Sequence, residues 1–438
     1  MTDKSRANAV SDEVTPALAP KLRFQQFRTD EEWQLVPLRD LADRSGTRNR
    51  DEKILRVLTN SAEFGVVDQR DFFDKDIATQ GKLESYVVVE LGDYVYNPRI
   101  SATAPVGPIS KNNIGPGVMS PLYTVFRFKN PENSFYQHYF KTAGWHTYMR
   151  QASSTGARHD RMAIGSDDFM SMPLPVAHSP TEQQKIAECL SSVDESIATQ
   201  ARKVDSLKTH KKGLMQQLFP RTGEPYPIRR FPEFKKAGAW ERKRIEECGN
   251  VLAGKALAVN SPGPLRPYLR TKNVLDGAID LSDVLTMPMT DCEFCRFEIL
   301  EGDVLLNEGQ SLGLVGRASL YRGELGQRCA MQNQLLRFRA YPSTCPEFAA
   351  QAFRQCQKDG TFASIATQTT SVAHLGSSRF SALTLTWPPS LAEQQRIASC
   401  LGSLDAMIAA ETQKLETLKT HKKGLMQQLF PSPEDVEA

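Results

Sequence analysis

Two groups of polar and basic side chains stand out in loop-like segments of the sequence. The first group lies between positions 97 and 161 and consists of Asn97, Arg99, Lys111, Asn112, Asn113, Arg158 and Arg161. The second lies between positions 310 and 370 and consists of Gln310, Ser311, Arg317, Gln332, Asn333, Gln368 and Thr370. Arg, Lys, Asn and Gln hydrogen-bond to base edges in the major groove of DNA, and Arg and Lys also bind phosphates. Each residue alone is typical of a solvated loop, so the prediction of nucleic-acid binding rests on each group as a whole.

Motifs for catalysis are incomplete or missing. Residues 249–255 (GNVLAGK) fit most of a phosphate-binding Walker A pattern, but Ala256 stands where Ser or Thr is required to bind magnesium. The preceding ERKRIEEC does not have the pattern of a buried strand, so no nucleotide site is predicted. The sequence lacks HExxH, G-x-S-x-G and the Asp/Asn-Pro-Pro-Tyr/Phe motif of amino-methyltransferases. We therefore predict no catalytic residue and no cofactor bound by this chain.

Cysteine usage and composition limit which kinds of site and which location the chain can have. Eight Cys among 438 residues do not suggest a disulfide scaffold. Cys292 and Cys295 form one CxxC without a second ligand pair, so no metal site is predicted. A net charge of +3 supports no claim about partners. No apolar run is long enough to cross a membrane. The cysteine usage favours a cytoplasmic chain.

The longest pattern in the sequence occurs twice. Residues 182–220 and 393–431 are similar throughout, and Leu207–Pro220 is identical to Leu418–Pro431. Neither copy contains an internal Pro, and apolar residues alternate at spacings of three and four, from Ile186 to Leu218 and from Ile397 to Leu429. This heptad pattern predicts two long helices, each packed along another helix. The most economical partner for each copy is the other copy, because either helix alone would expose an apolar stripe to water.

A globular segment precedes each copy, and the two segments share landmarks. Phe24, Phe27 and Trp33 match Phe231, Phe234 and Trp240 at a constant offset. LGDYVYN (91–97) matches EGDVLLN (301–307), and Val125–Phe128 is aligned with Leu335–Phe338. Helical patterns follow at about 134–151 and 346–358. The intervening loops differ, which indicates related modules that bind different things.

The pattern divides the chain into seven parts. We predict a loose tail (1–20), a first domain (21–180), a first long helix (181–220), a linker (221–227), a second domain (228–391), a second long helix (392–431) and an acidic tail (432–438).

This combination resembles the specificity subunit of a type I restriction–modification system. The resemblance rests on the repeated domain–helix layout, the helix starts EQQKI and EQQRI at Glu182 and Glu393, the paired LKTHKKGLMQQLFP ends, and the segment from GDYVYNPRIS to YTVFRF. It implies an α+β fold with two α/β target-recognition domains in tandem. Each is followed by a long helix, and the two helices pair as an antiparallel coiled coil.

The resemblance also implies a function. Each domain would read one half of an asymmetric, bipartite site in double-stranded DNA. Two modification subunits would carry S-adenosylmethionine and adenine N6-methylation, and two restriction subunits would use ATP and magnesium. The identical helix ends predict a partner surface met twice, with candidates Lys211, Lys212, Gln216, Gln217, Phe219, Lys422, Lys423, Gln427, Gln428 and Phe430. Two alternatives stay open, a stand-alone DNA-binding or scaffold protein and an enzyme such as a nuclease with an unrecognised carboxylate cluster.

Overall fold

The structure, a computed structural model, describes residues 18–72, 83–155, 160–221, 223–256, 261–368 and 371–431. The chain folds into two compact units: unit 1 comprises residues 1–200 and 414–438, and unit 2 comprises residues 201–413. Each unit therefore combines one globular domain with the beginning of one long helix and the end of the other. The acidic tail and most of the first tail lie outside the described residues. Leu18 is an exception, since it is buried and its carbonyl accepts a hydrogen bond from the Trp33 amide.

The first half of the chain contains twelve short strands in the described residues. They are β1 (Gln34–Pro37), β2 (Ala42–Ser45), β3 (Leu58–Ser61), β4 (Gly65–Asp68), β5 (Val87–Val89), β6 (Tyr94–Tyr96), β7 (Ile109–Lys111), β8 (Gly117–Met119), β9 (Thr124–Phe128), β10 (Ser154–Thr155), β11 (Met162–Ala163) and β12 (Pro173–Val176). The helices are α1 (Leu38–Leu41), α2 (Gln69–Phe72), α3 (Ser134–Tyr139), α4 (His146–Ala152), α5 (Ser166–Met170) and the long α6 (Pro180–Leu218).

The core of unit 1 forms around the sheet β2-β9-β6-β7. Strands β6 and β9 are antiparallel and place Tyr94 opposite Phe126, and these two rings stack at 5.6 Å. Aromatic residues suit a half-buried pleated surface, and their packing here buries both rings completely. The helical pattern predicted over 134–151 is in fact two helices, α3 and α4, separated by a loop that contains Lys141 and Gly144.

The second half repeats this plan with additional strands. They are β13 (Glu241–Arg244), β14 (Gly249–Ala253), β15 (Leu265–Leu269), β16 (Leu285–Pro288), β17 (Glu298–Ile299), β18 (Val304–Asn307), β19 (Gly309–Gln310), β20 (Ala318–Leu320), β21 (Cys329–Met331), β22 (Leu335–Ala340), β23 (Thr367–Gln368), β24 (Ala373–His374) and β25 (Thr384–Trp387). The helices are α7 (Ile245–Cys248), α8 (Asp291–Phe297), α9 (Pro346–Lys358), α10 (Thr361–Ile365), α11 (Ser377–Ala382) and the long α12 (Leu391–Leu429). The sheets are β14-β22-β18-β20, β16-β15-β21-β17 and β19-β24-β23, with β13 paired to β25 as β1 is to β12.

The shared Gly-Asp pair has the same structural role in both units. The Asp93 carboxylate accepts hydrogen bonds from the Glu90 amide and from the Arg127 guanidinium, and Asp303 does the same with Leu300 and Arg339. Each Asp is buried, so its Arg partner compensates the charge. This geometry corrects the sequence alignment of these strands by two residues, because Arg127 corresponds to Arg339 and Phe126 to Phe338.

A buried ion pair joins each long helix to the domain before it. The Arg23 guanidinium donates to both carboxylate oxygens of Glu182, at 2.6 and 2.7 Å, and the Trp33 indole donates to the same carboxylate. In unit 2, Arg230 and Trp240 hold Glu393 in the same way. Both Glu side chains are fully buried, and hydrogen bonding to them raises the pKa of each Arg. The repeated Trp and the repeated helix-start Glu are therefore two parts of one anchor.

Within the described residues, no helix is both long and apolar enough to span a bilayer.

Candidate nucleic-acid interface

In unit 2, a small sheet brings together two residues that the sequence placed far apart. Gln310 on β19 and Gln368 on β23 both lie opposite Ala373 on the central strand β24. Residues opposite each other in antiparallel strands project from the same face, so the two amides share one side of this sheet. Gln368 is exposed and Gln310 is partly exposed. Thr370 lies outside the described residues.

The turn between β21 and β22 adjoins this sheet. The Glu308 amide donates to the Gln334 carbonyl at 2.8 Å, which places Gln332 and Asn333 beside the start of β19. Asn333 is exposed and Gln332 is partly exposed. Four of the predicted residues thus surround one strand, and Gln334 joins them although the sequence analysis did not select it. Nothing in the sequence around Asn333 marked Gln334 as a site residue, because only the hydrogen bond from Glu308 brings it beside β19.

The loop from Ser311 to Arg317 continues from β19. The Ser311 carbonyl accepts from the amides of Leu314 and Val315, which closes a compact turn. The Ser311 side chain is exposed and that of Arg317 is half-buried. Arg379, also missed by sequence reasoning, supports the sheet by donating to the Thr367 hydroxyl and to the His374 carbonyl. Its role is to hold β23 and β24 together.

The Walker-like residues have a structural role. Gly249 and Gly254 lie on and just after strand β14, and a Cβ on Gly254 would lie 2.1 Å from the Gln332 carbonyl oxygen. The Lys255 amine forms an ion pair with Glu293 at 2.5 Å and its side chain is nearly buried. This lysine is therefore engaged inside the domain, and these contacts explain the glycine and the lysine without a nucleotide.

In unit 1, two predicted arginines are brought together. Arg99 and Arg161 form an antiparallel bridge, and the Ile100 amide donates to the Asp160 carbonyl at 3.0 Å. Arg99 is exposed and Arg161 is half-buried. The two segments thus form one basic edge, although they are far apart in the sequence. Arg158 lies outside the described residues.

Two predicted asparagines of unit 1 use their side chains for hydrogen bonds within the domain. Asn112 is fully buried, and its amide donates to the carbonyls of Glu90 and Gly115, both at 2.8 Å. The Asn97 amide donates to the Asn60 carbonyl at 2.9 Å, and its oxygen accepts from the Arg99 amide. Because these groups hold loops in place, the geometry argues against direct DNA contact by Asn112 and leaves Asn97 a positioning role.

Lys111 and Asn113 border an open cleft of about 620 Å³ in unit 1. Lys141 and His146, from the loop between α3 and α4 and the start of α4, face the same space. The Lys111 amine contacts the Ser134 hydroxyl at 3.3 Å, and partial burial lowers its pKa. Asn113 is exposed and donates to the Gln137 side chain. The cleft therefore offers cations and amides to a ligand.

The identical helix ends are partly buried, and four of the predicted partner residues make contacts within the units. Lys211 is 5 % exposed and forms an ion pair with Asp405, while Lys422 forms an ion pair with Asp194. Burial, followed by the charge of Arg354, lowers the pKa of Lys211 to about 8. Phe430 packs against Phe135 in the core of unit 1.

Phe219 is the fourth of these residues, and its ring stacks on Phe348 at 5.4 Å in unit 2. These four side chains therefore attach each helix end to its own unit. The remaining candidates lie on the outer face of the helices: Lys212, Gln216, Lys423, Gln427 and Gln428 are exposed, and Gln217 is partly exposed.

No cluster of His, Cys, Asp and Glu in the described residues could hold a metal ion. Cys292 and Cys295 are exposed thiols on helix α8, and the Arg328 guanidinium contacts the Cys295 sulfur at 3.5 Å.

Comparison with known proteins identifies the same architecture. Residues 238–420 match the family model described as the type I restriction modification DNA specificity domain. The type I restriction enzyme EcoKI specificity subunit of Escherichia coli K12 is 23 % identical over 252 residues, covering 53 % of this chain. The matched region spans 48 % of that protein, about half its length.

Two solved structures share the fold over nearly the whole chain. The S subunit of a type I restriction–modification system from M. genitalium covers 95 % of this chain and 100 % of its own, at 14 % identity and a TM-score of 0.58. A chain from a structure on complex assembly and conformational transition of the type I R-M system covers 92 % and 98 %, at 15 % identity and a TM-score of 0.52. Residues 238–420 therefore match the type I restriction modification DNA specificity domain, and the chain as a whole has the fold seen in these two structures.

Proposed function

We propose that this chain is the DNA sequence-recognition subunit of a type I restriction–modification complex. Each domain reads one half of an asymmetric, bipartite site through the surfaces described above. In unit 2 the reading surface is centred on Gln310, Gln368 and Asn333. In unit 1 it is centred on the Arg99–Arg161 edge and on the cleft that Lys111 and Asn113 border.

The repetition of one exposed surface is the observation that carries this proposal. The same residues dock each helix end in its unit, through Lys211 and Asp405 in one and Lys422 and Asp194 in the other. The identical outer faces, with Lys212 and Gln216 matching Lys423 and Gln427, are left exposed. Two copies of one surface suit two copies of one partner. We assign them to two modification subunits, which carry S-adenosylmethionine and methylate adenine, and which are joined by two ATP- and magnesium-dependent restriction subunits.

The long helices act as a spacer in this proposal. In unit 2, Lys203 pairs with Glu411 and Lys211 with Asp405, so the residue number rises on one helix as it falls on the other. In unit 1, Lys422 pairs with Asp194, and Leu429 shares a core with Ile186 and Leu190. The same opposite direction in both units supports an antiparallel coiled coil that fixes the distance between half-sites.

The assignment is tested by separate substitution in each reader. Arg99→Ala and Arg317→Ala are compared with Arg50→Ala, an exposed arginine outside both readers. Methylation is measured on the cognate site and on sites with one altered base pair in either half. Each reader variant is expected to lose about 1–3 kcal/mol of discrimination in its own half-site only. Unchanged discrimination by both variants contradicts the assignment.

Two purification experiments address the alternatives. A subunit co-purifies with two methyltransferase chains, whereas a stand-alone DNA-binding or scaffold protein is recovered without enzyme partners. Incubation of the purified chain with DNA and magnesium leaves the DNA intact if the chain is not itself a nuclease. Clean cutting by the chain alone would replace our proposal with the enzyme alternative.

A further inference from the structure

The two units differ at one pair of equivalent cations, Lys141 and Arg354. Phe135 packs on the helix-end Phe430 in unit 1, and Phe348 packs on Phe219 in unit 2, which makes these two residues counterparts. Lys141 follows Phe135 by the same interval as Arg354 follows Phe348. Lys141 in unit 1 and Arg354 in unit 2 therefore occupy equivalent positions beside a long helix.

Arg354 is fully engaged within unit 2. Its guanidinium donates to Asp276 at 2.6 Å and to Asp405 at 2.8 Å, and only about a tenth of its surface is exposed. Asp276 also pairs with Lys358 at 3.0 Å. The cations at this position thus face two carboxylates and have little capacity for an external anion.

Lys141 is exposed and has no such pair of carboxylates. Among the described residues no carboxylate lies within ion-pair distance of its amine. Asp194, the counterpart of Asp405, is bonded instead to Lys422 at 2.5 Å. Lys141 therefore lacks the pair of carboxylates that engages Arg354, while burial, followed by the charge of Lys422, lowers the pKa of its amine and Asp194 acts in the opposite direction.

Four more lysines share a groove with Lys141. The groove has a volume of about 700 Å³ and is lined by Lys21, Lys419, Lys422 and Lys423 beside the loop from Lys141 to Gly144. Lys21 is exposed, whereas Lys423 belongs to the surface assigned above to a modification subunit and is not part of this site. In the part of the chain that the structure describes, Lys419 has only the exposed Glu416 as an ion-pair partner, at 2.9 Å. Exposed pairs of this kind are worth ~0–1 kcal/mol and leave the lysine available to a stronger anion.

The groove adjoins the reading cleft, because Lys141, Thr142 and Ala143 line both. We propose that Lys141, Lys419 and Lys21, called the lysine track below, bind the DNA phosphate backbone. Unit 1, unlike unit 2, thereby makes a sequence-independent contact with DNA beside its reading surface. This inference rests on the proposed function, which it deepens by assigning phosphate contacts to Lys141, Lys419 and Lys21.

The chemistry favours a phosphate backbone over an acidic protein segment. Lysine amines on flexible stems bind as point charges and suit a repeating series of phosphates. The lysines adjoin the cleft that Lys111 and Asn113 border, so we place both on one duplex. An acidic protein segment has no comparable reason to continue into the reading cleft.

The test measures how salt weakens DNA binding. The chain, in the complex in which it is purified, is titrated with a labelled duplex of unrelated sequence over a series of salt concentrations. The variant Lys141→Gln/Lys419→Gln is compared with Lys358→Gln/Lys208→Gln, in which Lys208 is the repeat counterpart of Lys419. Because each phosphate contact contributes ~0.9 to the slope of log K against log salt, the unit 1 variant is expected to reduce the slope by about 2. The unit 2 variant keeps the wild-type slope.

Further measurements separate the possible outcomes. Lys141→Arg keeps the charge and is expected to keep the slope, and melting temperatures verify that every variant is folded. Equal losses in both double variants, or no loss in either, overturn the inference. A normal slope with loss of the methyltransferase subunit shows that the groove docks protein instead. If the wild-type chain shows this slope but no preference for any site, the proposed function fails while the phosphate track stands.

Discussion

The two units share a frame and differ in the polar groups that line it. Both hold the first turn of a long helix through a buried Glu, an Arg and a Trp. They differ where α3 or α9 faces the helices. In unit 2, Asp405 accepts hydrogen bonds from Lys211, Gln351 and Arg354. In unit 1, Asp194 is bonded to Lys422, and His138 lies beside it.

This difference shows which parts of a repeated domain are free to change. Removing one partner from a buried ion pair leaves an uncompensated charge, which costs about 3–5 kcal/mol. The anchor must therefore keep all its members together in either unit. The Asp405 side chain is 31 % exposed whereas Glu182 and Glu393 are fully buried, so the unit 1 version with fewer partners is tolerated. The predictions below test that distinction.

The largest expected effect comes from the anchor. Glu182→Gln and Glu393→Gln each leave a nearly buried Arg without its carboxylate, and each should lower the free energy of unfolding by about 3–5 kcal/mol. Urea unfolding, followed by the fluorescence of the adjacent Trp33 and Trp240, measures the loss. Glu195→Gln, on the exposed face of α6, is the control and should have little effect. A large loss of unfolding free energy for only one of the two Glu variants would show that the two units do not share this anchor.

The pH dependence of stability should also distinguish the two units. Burial first, then the charges of Lys141 and Lys422, lowers the pKa of His138 from 6.5 to about 4, while Asp194 acts in the opposite direction. Between pH 6.5 and 4 the unfolded chain binds a proton that the folded chain does not, so stability falls as pH falls. The full change is about 3 kcal/mol.

The control for this effect is present in the other unit. Gln351 occupies the position equivalent to His138, so His138→Gln introduces the unit 2 residue into unit 1. We expect the variant to lose less stability than the wild type between pH 6.5 and 4, with the contribution of the carboxylates common to both. Calorimetric melting over this range measures the difference. Parallel pH profiles would contradict the assignment of the effect to His138.

The smallest effect is the difference in stability cost, about 2 kcal/mol, between substitutions of the two equivalent aspartates. Asp405→Asn weakens three charged hydrogen bonds and should cost about 3 kcal/mol, whereas Asp194→Asn weakens one and should cost about 1 kcal/mol. Chemical unfolding of both variants gives the comparison directly. Equal losses would mean that the additional partners of Asp405 contribute nothing measurable.

The sequence predicted the repeated layout because its signals are local or periodic. The apolar spacing from Ile186 to Leu218 indicated a long helix, and α6 contains it. The residues of that stripe are the less exposed ones in the structure, as the spacing requires. In contrast, the break between α3 and α4 was not predicted, because the apolar pattern continues through it while the chain turns at Lys141–Gly144.

The candidate site was predicted only in part. Arg99, Gln310 and Asn333 lie at the surface or partly so, as their loop positions suggested. Asn112 has the same residue type and a similar context, yet it is buried and holds a loop. Its two acceptor carbonyls belong to residues on either side of it, and only the folded loop shows that both are within reach.

The sequence by itself determined that there are two related domains, two long helices with apolar stripes, and identical helix ends, because each of these follows from residue spacing along the chain. Only the tertiary structure decided which members of those sets face solvent. Lys211 and Lys212 are neighbours in an identical repeat, but Lys211 is buried against Asp405 and Lys212 is exposed. The physical reason is that a polar group is free or engaged according to partners far away in sequence, and chain spacing does not specify those partners.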